Sequence, residues 1–198
     1  LALAMLRKVG TRPRALVAGF MGITAFLSMW VSNTATALVM LPIALSIIAL
    51  ENGSGMPDRS RDSSSAAVAS RNFSLCLLLG IAYAASIGGI GTLIGTPPNL
   101  FLASYLRDHL DMEISFVRWM GIGLPLVCLF LPLTWALLTV VLYPLRDQRL
   151  SGSAELTREA ADELGPMAVG ERATLVVFVL TATLWITRPL LIRLRWGD

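Results

Sequence analysis

The sequence predicts an all-α polytopic membrane protein built around a re-entrant helical hairpin and a discontinuous transmembrane helix. Three observations predict it. Of 198 residues, 55% are apolar and only 15% charged, and the charges fall in short blocks, the distribution expected of a chain dissolved in lipid. Two runs, residues 15–50 and 72–106, carry no charge at all, and each is longer than the ~20 residues that one helix needs to cross a bilayer. Each run is also interrupted by a polar stretch: Trp30-Val31-Ser32-Asn33-Thr34-Ala35-Thr36 in the first, and Gly88-Gly89-Ile90-Gly91-Thr92-Leu93-Ile94-Gly95-Thr96-Pro97-Pro98-Asn99 in the second. Unpaired polar groups in lipid cost several kcal/mol each, so these stretches must face something other than acyl chains.

Arg7, Lys8, Arg12 and Arg14 form a basic block ahead of the first run. That run exceeds one crossing and falls short of two with a loop, so a re-entrant hairpin fits residues 15–50: a first leg over 15–30, a tip over 31–34, and a second leg over 35–50 with Pro42 kinking the return. A single long tilted helix is the competing reading. Residues 51–72, rich in Ser, Gly and charge, read as a solvated cytoplasmic linker. Residues 73–107 form the discontinuous helix: 73–86 is apolar and helical, four glycines and Pro97-Pro98 interrupt it, and 100–106 resumes the pattern. A polar turn over 107–118 follows, in which His109 reads as solvated. Residues 117–143 make a full span bent by Pro125 and Pro132. Residues 144–172 are an amphipathic cytoplasmic segment with a weak stripe at Leu156, Ala160 and Leu164. The last span covers 173–192, past Arg188 and Pro189.

Counting Lys and Arg by side puts the N-terminal block, the linker and residues 144–172 in the cytoplasm of a multi-pass cell-membrane protein. Residues 107–118 are then external, and so are Arg193 and Arg195, which weaken the count without reversing it. The chain opens at Leu1 without a signal-peptide pattern and stops at Asp198 soon after an apolar run, which reads as a piece of a longer protein.

Other function classes find little support. Cys76 and Cys128 lie inside apolar runs and read as packing residues, neither disulfide partners nor zinc ligands. The positive charge comes from Arg between the spans, a topology signal rather than a nucleic-acid footprint. Gly89 and Gly91 begin a G-x-G-x-x-G pattern, but Ile94 stands where the third glycine belongs and no G-K-[ST] occurs. No span holds a His/Asp/Ser set or paired carboxylates, so no catalytic residue is predicted and the chain is read as no enzyme.

The breaks suggest a different chemistry. Ser32, Asn33 and Thr34 stand in the N-cap region of the second leg, whose first N–H groups are unpaired and carry about half a positive charge. Such a tip suits a carboxylate. Thr96, Pro97, Pro98 and Asn99 open a second half-helix, and carbonyls freed where each first leg ends are hard oxygens suited to Na⁺. An anion and a small cation held without a charged side chain imply coupled transport, because the co-bound cation lowers the cost of desolvating the anion. An anion exchanger or a proton-coupled carrier of sulfate or another anion fits the same scaffold. From another class, a membrane interaction or assembly subunit would use both breaks only to pack helices.

Ser32-Asn33-Thr34-Ala35-Thr36, followed after a charged linker by residues 88–99, resembles the paired signature of the divalent anion:sodium symporter (DASS) family: an SNT triplet at a hairpin tip, then an unwound loop in the next helix. Ala82-Tyr83-Ala84-Ala85-Ser86-Ile87 and the stretch from Glu171-Arg172 to Trp185 are similar in style, and the likeness covers nearly the whole chain. The resemblance implies sodium-dependent transport of a dicarboxylate or citrate. It implies that Ser28, Ser32, Asn33 and the backbone of Gly95 line a Na⁺ site, and that Asn33, Thr34, Thr96 and Pro97 meet the substrate carboxylates. Family members carry an inverted second repeat with its own SNT triplet, and one such triplet occurs here. The implied chain is the N-terminal half of an inverted-repeat transporter, supplying half of the substrate and ion site, with the remaining half as partner. The resemblance also implies a homodimer with an elevator-like moving domain, and Na⁺ as coupling ion with no other cofactor.

Overall fold

The computed structural model describes residues 12–53, 63–145 and 169–195. Among the described residues six α-helices follow one another: α1 Pro13–Ser28, α2 Asn33–Gly53, α3 Ser63–Ile90, α4 Pro97–Leu110, α5 Phe116–Ala136, which continues as the π-helical turn Leu137–Leu142, and α6 Val169–Arg195. No strand occurs among the described residues, and the all-α expectation holds.

α1 starts at Pro13, whose fixed φ and missing N–H suit a first helical position, after Arg12 in an extended conformation. It ends at Ser28, where the Trp30 and Val31 N–H groups both return to the Leu27 carbonyl at 3.0 Å. Ser32 then opens α2: its carbonyl takes the Thr36 N–H at 2.9 Å and its Oγ takes the Ala35 N–H at 3.4 Å. The second leg therefore begins at Asn33, two residues earlier than its composition suggests, because Ser32 serves as the N-cap. Pro42 lies inside α2 as expected.

Helix occupies both ends of the expected 51–72 linker, since α2 runs to Gly53 and α3 starts at Ser63. The Ala-rich sequence after Ser63 has the propensity to extend α3 backwards; residues 54–62 lie outside the described residues. α3 also continues past Ser86 to Ile90, so Gly88 and Gly89 are helical and the unwound part shrinks to residues 91–96. α4 ends at Asp111, which adopts the left-handed conformation (φ 53°) that Asp tolerates better than most residues, with the Met112 N–H reaching back 3.2 Å to the Leu106 carbonyl. The expected 107–118 turn is thus only residues 111–115, and His109 sits in the last turn of α4, stacked on Tyr105. α5 is capped by Ser115, whose Oγ accepts from the Arg118 N–H at 3.2 Å. Most of the amphipathic segment expected at 144–172 lies outside the described residues, and α6 contains the last expected span.

Among the described residues two helical stretches are long and apolar enough to cross a membrane, Val68–Ile90 and Phe116–Leu142; Pro13–Ser28, Asn33–Ala49 and Arg172–Thr187 are shorter apolar helices. The core lies between α1, α2 and α3, where Val17, Phe20 and Met21 meet Met40, Ala44, Phe73, Cys76 and Leu77. α5 and α6 leave Leu129, Phe130, Val177 and Leu180 exposed. Apolar residues facing outward in such numbers are what a lipid-facing surface carries. Cys76 is packed inside as expected, whereas Cys128 faces outward on α5.

The register between α1 and α3 is what positions the site. A side chain on Gly80 would press on Met21 and Val17, and one on Gly88 would overlap the backbone of Ala25. Gly80 with Val17 and Gly88 with Ala25 share the same sequence offset, so α1 and α3 run parallel in tight contact. The end of α1 therefore lies level with the end of α3.

Candidate functional site: the junction of two helix breaks

Where α1 and α3 end side by side, their breaks share one polar junction. Ser28 is fully buried, and its Oγ lies 2.7 Å from Asn33 Oδ1 and 2.6 Å from the Ala85 carbonyl oxygen. One hydroxyl hydrogen serves only one of these two acceptors. Either the Asn33 amide turns so that its nitrogen donates to Ser28, or a second positive centre is needed there. The Asn33 side chain also lies directly over Gly89, where any Cβ would overlap its amide oxygen. Gly95 completes the contact from the far side of the break, since a Cβ there would fall 2.5 Å from the Gly89 carbonyl oxygen.

Of the residues expected to bind, the structure brings Ser28, Asn33 and Gly95 together through Gly89. Ser32 and Thr34 are exposed at the tip, Thr96 is half-buried as the N-cap of α4, and Pro97 is exposed beside it. The two helix starts are not equivalent. At α2 the Ala35 and Thr36 N–H groups are taken by Ser32, and those of Asn33 and Thr34 have no partner among the described residues. At α4 the first two positions are Pro97 and Pro98, which have no N–H, and the Asn99 N–H folds back 3.1 Å to the Thr96 carbonyl. The second half-helix opens at Pro97 as expected, and unlike the first it keeps the dipole but lacks the first donors.

The carbonyls freed at the breaks are also less open than expected. Met29 O accepts from Thr92 Oγ1, Gly88 O from the Gly91 N–H at 2.9 Å, and Ile90 O from the Trp119 indole at 2.9 Å. Gly89 O and Thr92 O each accept from Asn99 Nδ2 at 2.8 Å. Buried carbonyls are expensive to leave unpaired, so side chains on three elements satisfy them. The Gly95 carbonyl has no such donor among the described residues. Thr92, Asn99 and Trp119 were not legible as site residues; an amide and an indole placed just after a Gly- and Pro-interrupted helix are the signal that pointed to them.

Trp30, at the hairpin tip, packs edge-on against Phe178 of α6 at 5.3 Å and tilted against Phe116 of α5 at 6.3 Å. These contacts tie the tip to the two outer helices. Among the described residues no three His, Cys, Asp or Glu side chains gather into a metal-binding group. The chemistry of the junction rests on hydroxyl, amide and backbone groups.

Among the described residues the chain is all-helical with apolar outer faces, and its two helix breaks meet in an uncharged polar junction, the architecture of broken-helix membrane proteins. The citrate transporter family, CitMHS, matches residues 1–196, and the chain belongs to that family. Over 195 residues, 98% of its length, it is 38% identical to the sodium-dependent dicarboxylate transporter SdcS of Staphylococcus aureus strain USA300, and equally to SdcS of strains NCTC 8325 / PS 47 and COL. The chain spans 36% of the length of these relatives. The resemblance carried by the two motifs holds at the level of the family, and with it the reading of a carrier rather than an enzyme.

Proposed function

We propose that this chain contributes half of the substrate and ion site of a Na⁺-coupled secondary carrier of small di- or tricarboxylates, multi-pass in the cell membrane. The observation that carries the reading is the meeting of Ser28 and Asn33 with Gly89 and Gly95, which puts both breaks into one uncharged site. In this reading Ser28, Ser32, Asn33 and Gly95 hold Na⁺. Three oxygens sharing one proton at Ser28, and a Gly95 carbonyl without a donor, support a cation there. Asn33, Thr34, Thr96 and Pro97 meet the substrate carboxylates, and the unpaired N–H groups of Asn33 and Thr34 support an anion at that end.

The apolar lengths of the two legs, Pro13–Ser28 and Asn33–Ala49, both too short for a full span, support a re-entrant hairpin. Sixteen residues of α1 rise roughly 24 Å, short of the ~30 Å hydrocarbon layer, so the tip stops inside it. The printed names of the relatives, sodium-dependent dicarboxylate transporters, support both the coupling ion and the substrate class. The remaining half of the site comes from the rest of the carrier, which acts as a homodimer.

Uptake of labelled succinate, citrate and sulfate by the complete carrier in liposomes, in Na⁺ and then in choline, tests the proposal. Carboxylate uptake that collapses in choline is the expected result; equal uptake in both salts removes Na⁺ coupling and leaves exchange or proton coupling.

A further inference from the structure

We infer that Asn99 is a positioning residue for ion coupling, a role that rests on the Na⁺-coupled reading above. Asn99 is only 7% exposed, and its amide nitrogen stands 2.8 Å from the carbonyl oxygens of both Gly89 and Thr92. An amide nitrogen has two hydrogens, so both are used and none remains for a ligand.

Gly89 lies in the last turn of α3, Thr92 in the unwound loop and Asn99 in the first turn of α4. The two hydrogen bonds therefore stitch together the three parts of the broken helix. Asn33 rests on Gly89 from one side and Gly95 from the other, so the stitch fixes the platform on which both stand. It also takes up one lone pair of each of two carbonyls and fixes their direction, as Trp119 does for that of Ile90, while the Gly95 carbonyl stays free of any donor among the described residues. Asn99 thus fixes how the backbone oxygens around Gly89 and Gly95 are presented to the cation. Its loss releases two buried carbonyls and shifts Gly95 together with the adjoining α4 start at Thr96 and Pro97, whereas Thr34 stands on the separately capped α2 start and keeps its place.

The test measures labelled succinate uptake against Na⁺ concentration for the complete carrier in liposomes, wild type beside Asn99→Ala and Asn99→Asp. The Asp variant keeps the side-chain size and loses both donors, so it carries the test where the Ala variant fails to insert. The half-saturating Na⁺ concentration is expected to rise about tenfold, while the KM for succinate at saturating Na⁺ rises by a smaller factor. An unchanged Na⁺ requirement with a lower maximal rate overturns the positioning role, and failure of both variants to insert makes Asn99 a folding residue and overturns it too. Wild-type uptake indifferent to Na⁺ would instead sink the coupled reading on which the inference stands.

Discussion

Ser28 and Asn33 show what a single contact decides. Within a helix pair as apolar as α1 and α3, a buried hydroxyl is tolerated only with a partner, and Ser28 has two oxygens competing for its one hydrogen. Replacing Asn33 by Ala removes the amide that joins the hairpin tip to Ser28 and to Gly89. Asn33→Ala is expected to lower substrate uptake at least about tenfold, the cost of losing a hydrogen bond to a charged ligand. Wild-type kinetics in a variant that inserts normally would remove the tip from the site. Asn33 was legible as a polar group at the N-cap region of a break in an uncharged run, whereas Ser28 and Gly95 were reached only through the resemblance to the symporter family. Asn99 was not legible, because sequence shows that an amide is present but not which way it turns; its inward turn follows from the need of Gly89 and Thr92 carbonyls for a donor.

At the scale of the elements, the hairpin and the broken helix followed from the length of each uncharged run and from the breakers within it. The boundaries moved where capping or packing outweighed composition. Ser32 drew the start of α2 forward to Asn33, and the close approach of α1 kept Gly88 and Gly89 helical where glycine content alone suggested unwinding. Gly88 carries the most demanding of these contacts, since a Cβ there overlaps the Ala25 backbone, whereas one on Gly22 meets nothing within 4 Å. Gly88→Ala must therefore push two helices apart, at a cost of about 1–3 kcal/mol, and Gly22→Ala should be neutral or slightly stabilising, as Ala is the better helix former. Thermal unfolding in detergent checks this pair. A drop of several degrees for Gly88→Ala alone is the expected outcome, and equal midpoints would mean that α1 and α3 do not meet as closely as described.

Across the whole molecule, one arrangement accounts for the site. α1 and α3 run parallel in fixed register, so their ends coincide, and the hairpin turn and the unwound loop arrive at the same level of the bundle. In the proposed reading each ligand draws on both breaks: Na⁺ on Ser28, Ser32 and Asn33 of the first and Gly95 of the second, the anion on Asn33 and Thr34 of the first and Thr96 and Pro97 of the second. The outer faces of α5 and α6 stay apolar and exposed, as contact with lipid requires, and the aromatic contacts of Trp30 with Phe116 and Phe178 anchor the hairpin tip to them. The composition made the membrane class and the number of apolar runs legible; the register between α1 and α3 was not, because it depends on which glycine meets which neighbour.

The central claim is that the two breaks form one site for an anion and Na⁺ together. Its most direct measurement places a cysteine at Thr34, which is exposed at the tip, in a carrier whose other accessible cysteines, Cys128 among them, are replaced by Ser. The rate of its reaction with a membrane-impermeant thiol reagent is then followed. Succinate and Na⁺ together should slow that reaction severalfold while succinate in choline leaves it unchanged; a labelling rate indifferent to both would contradict the account.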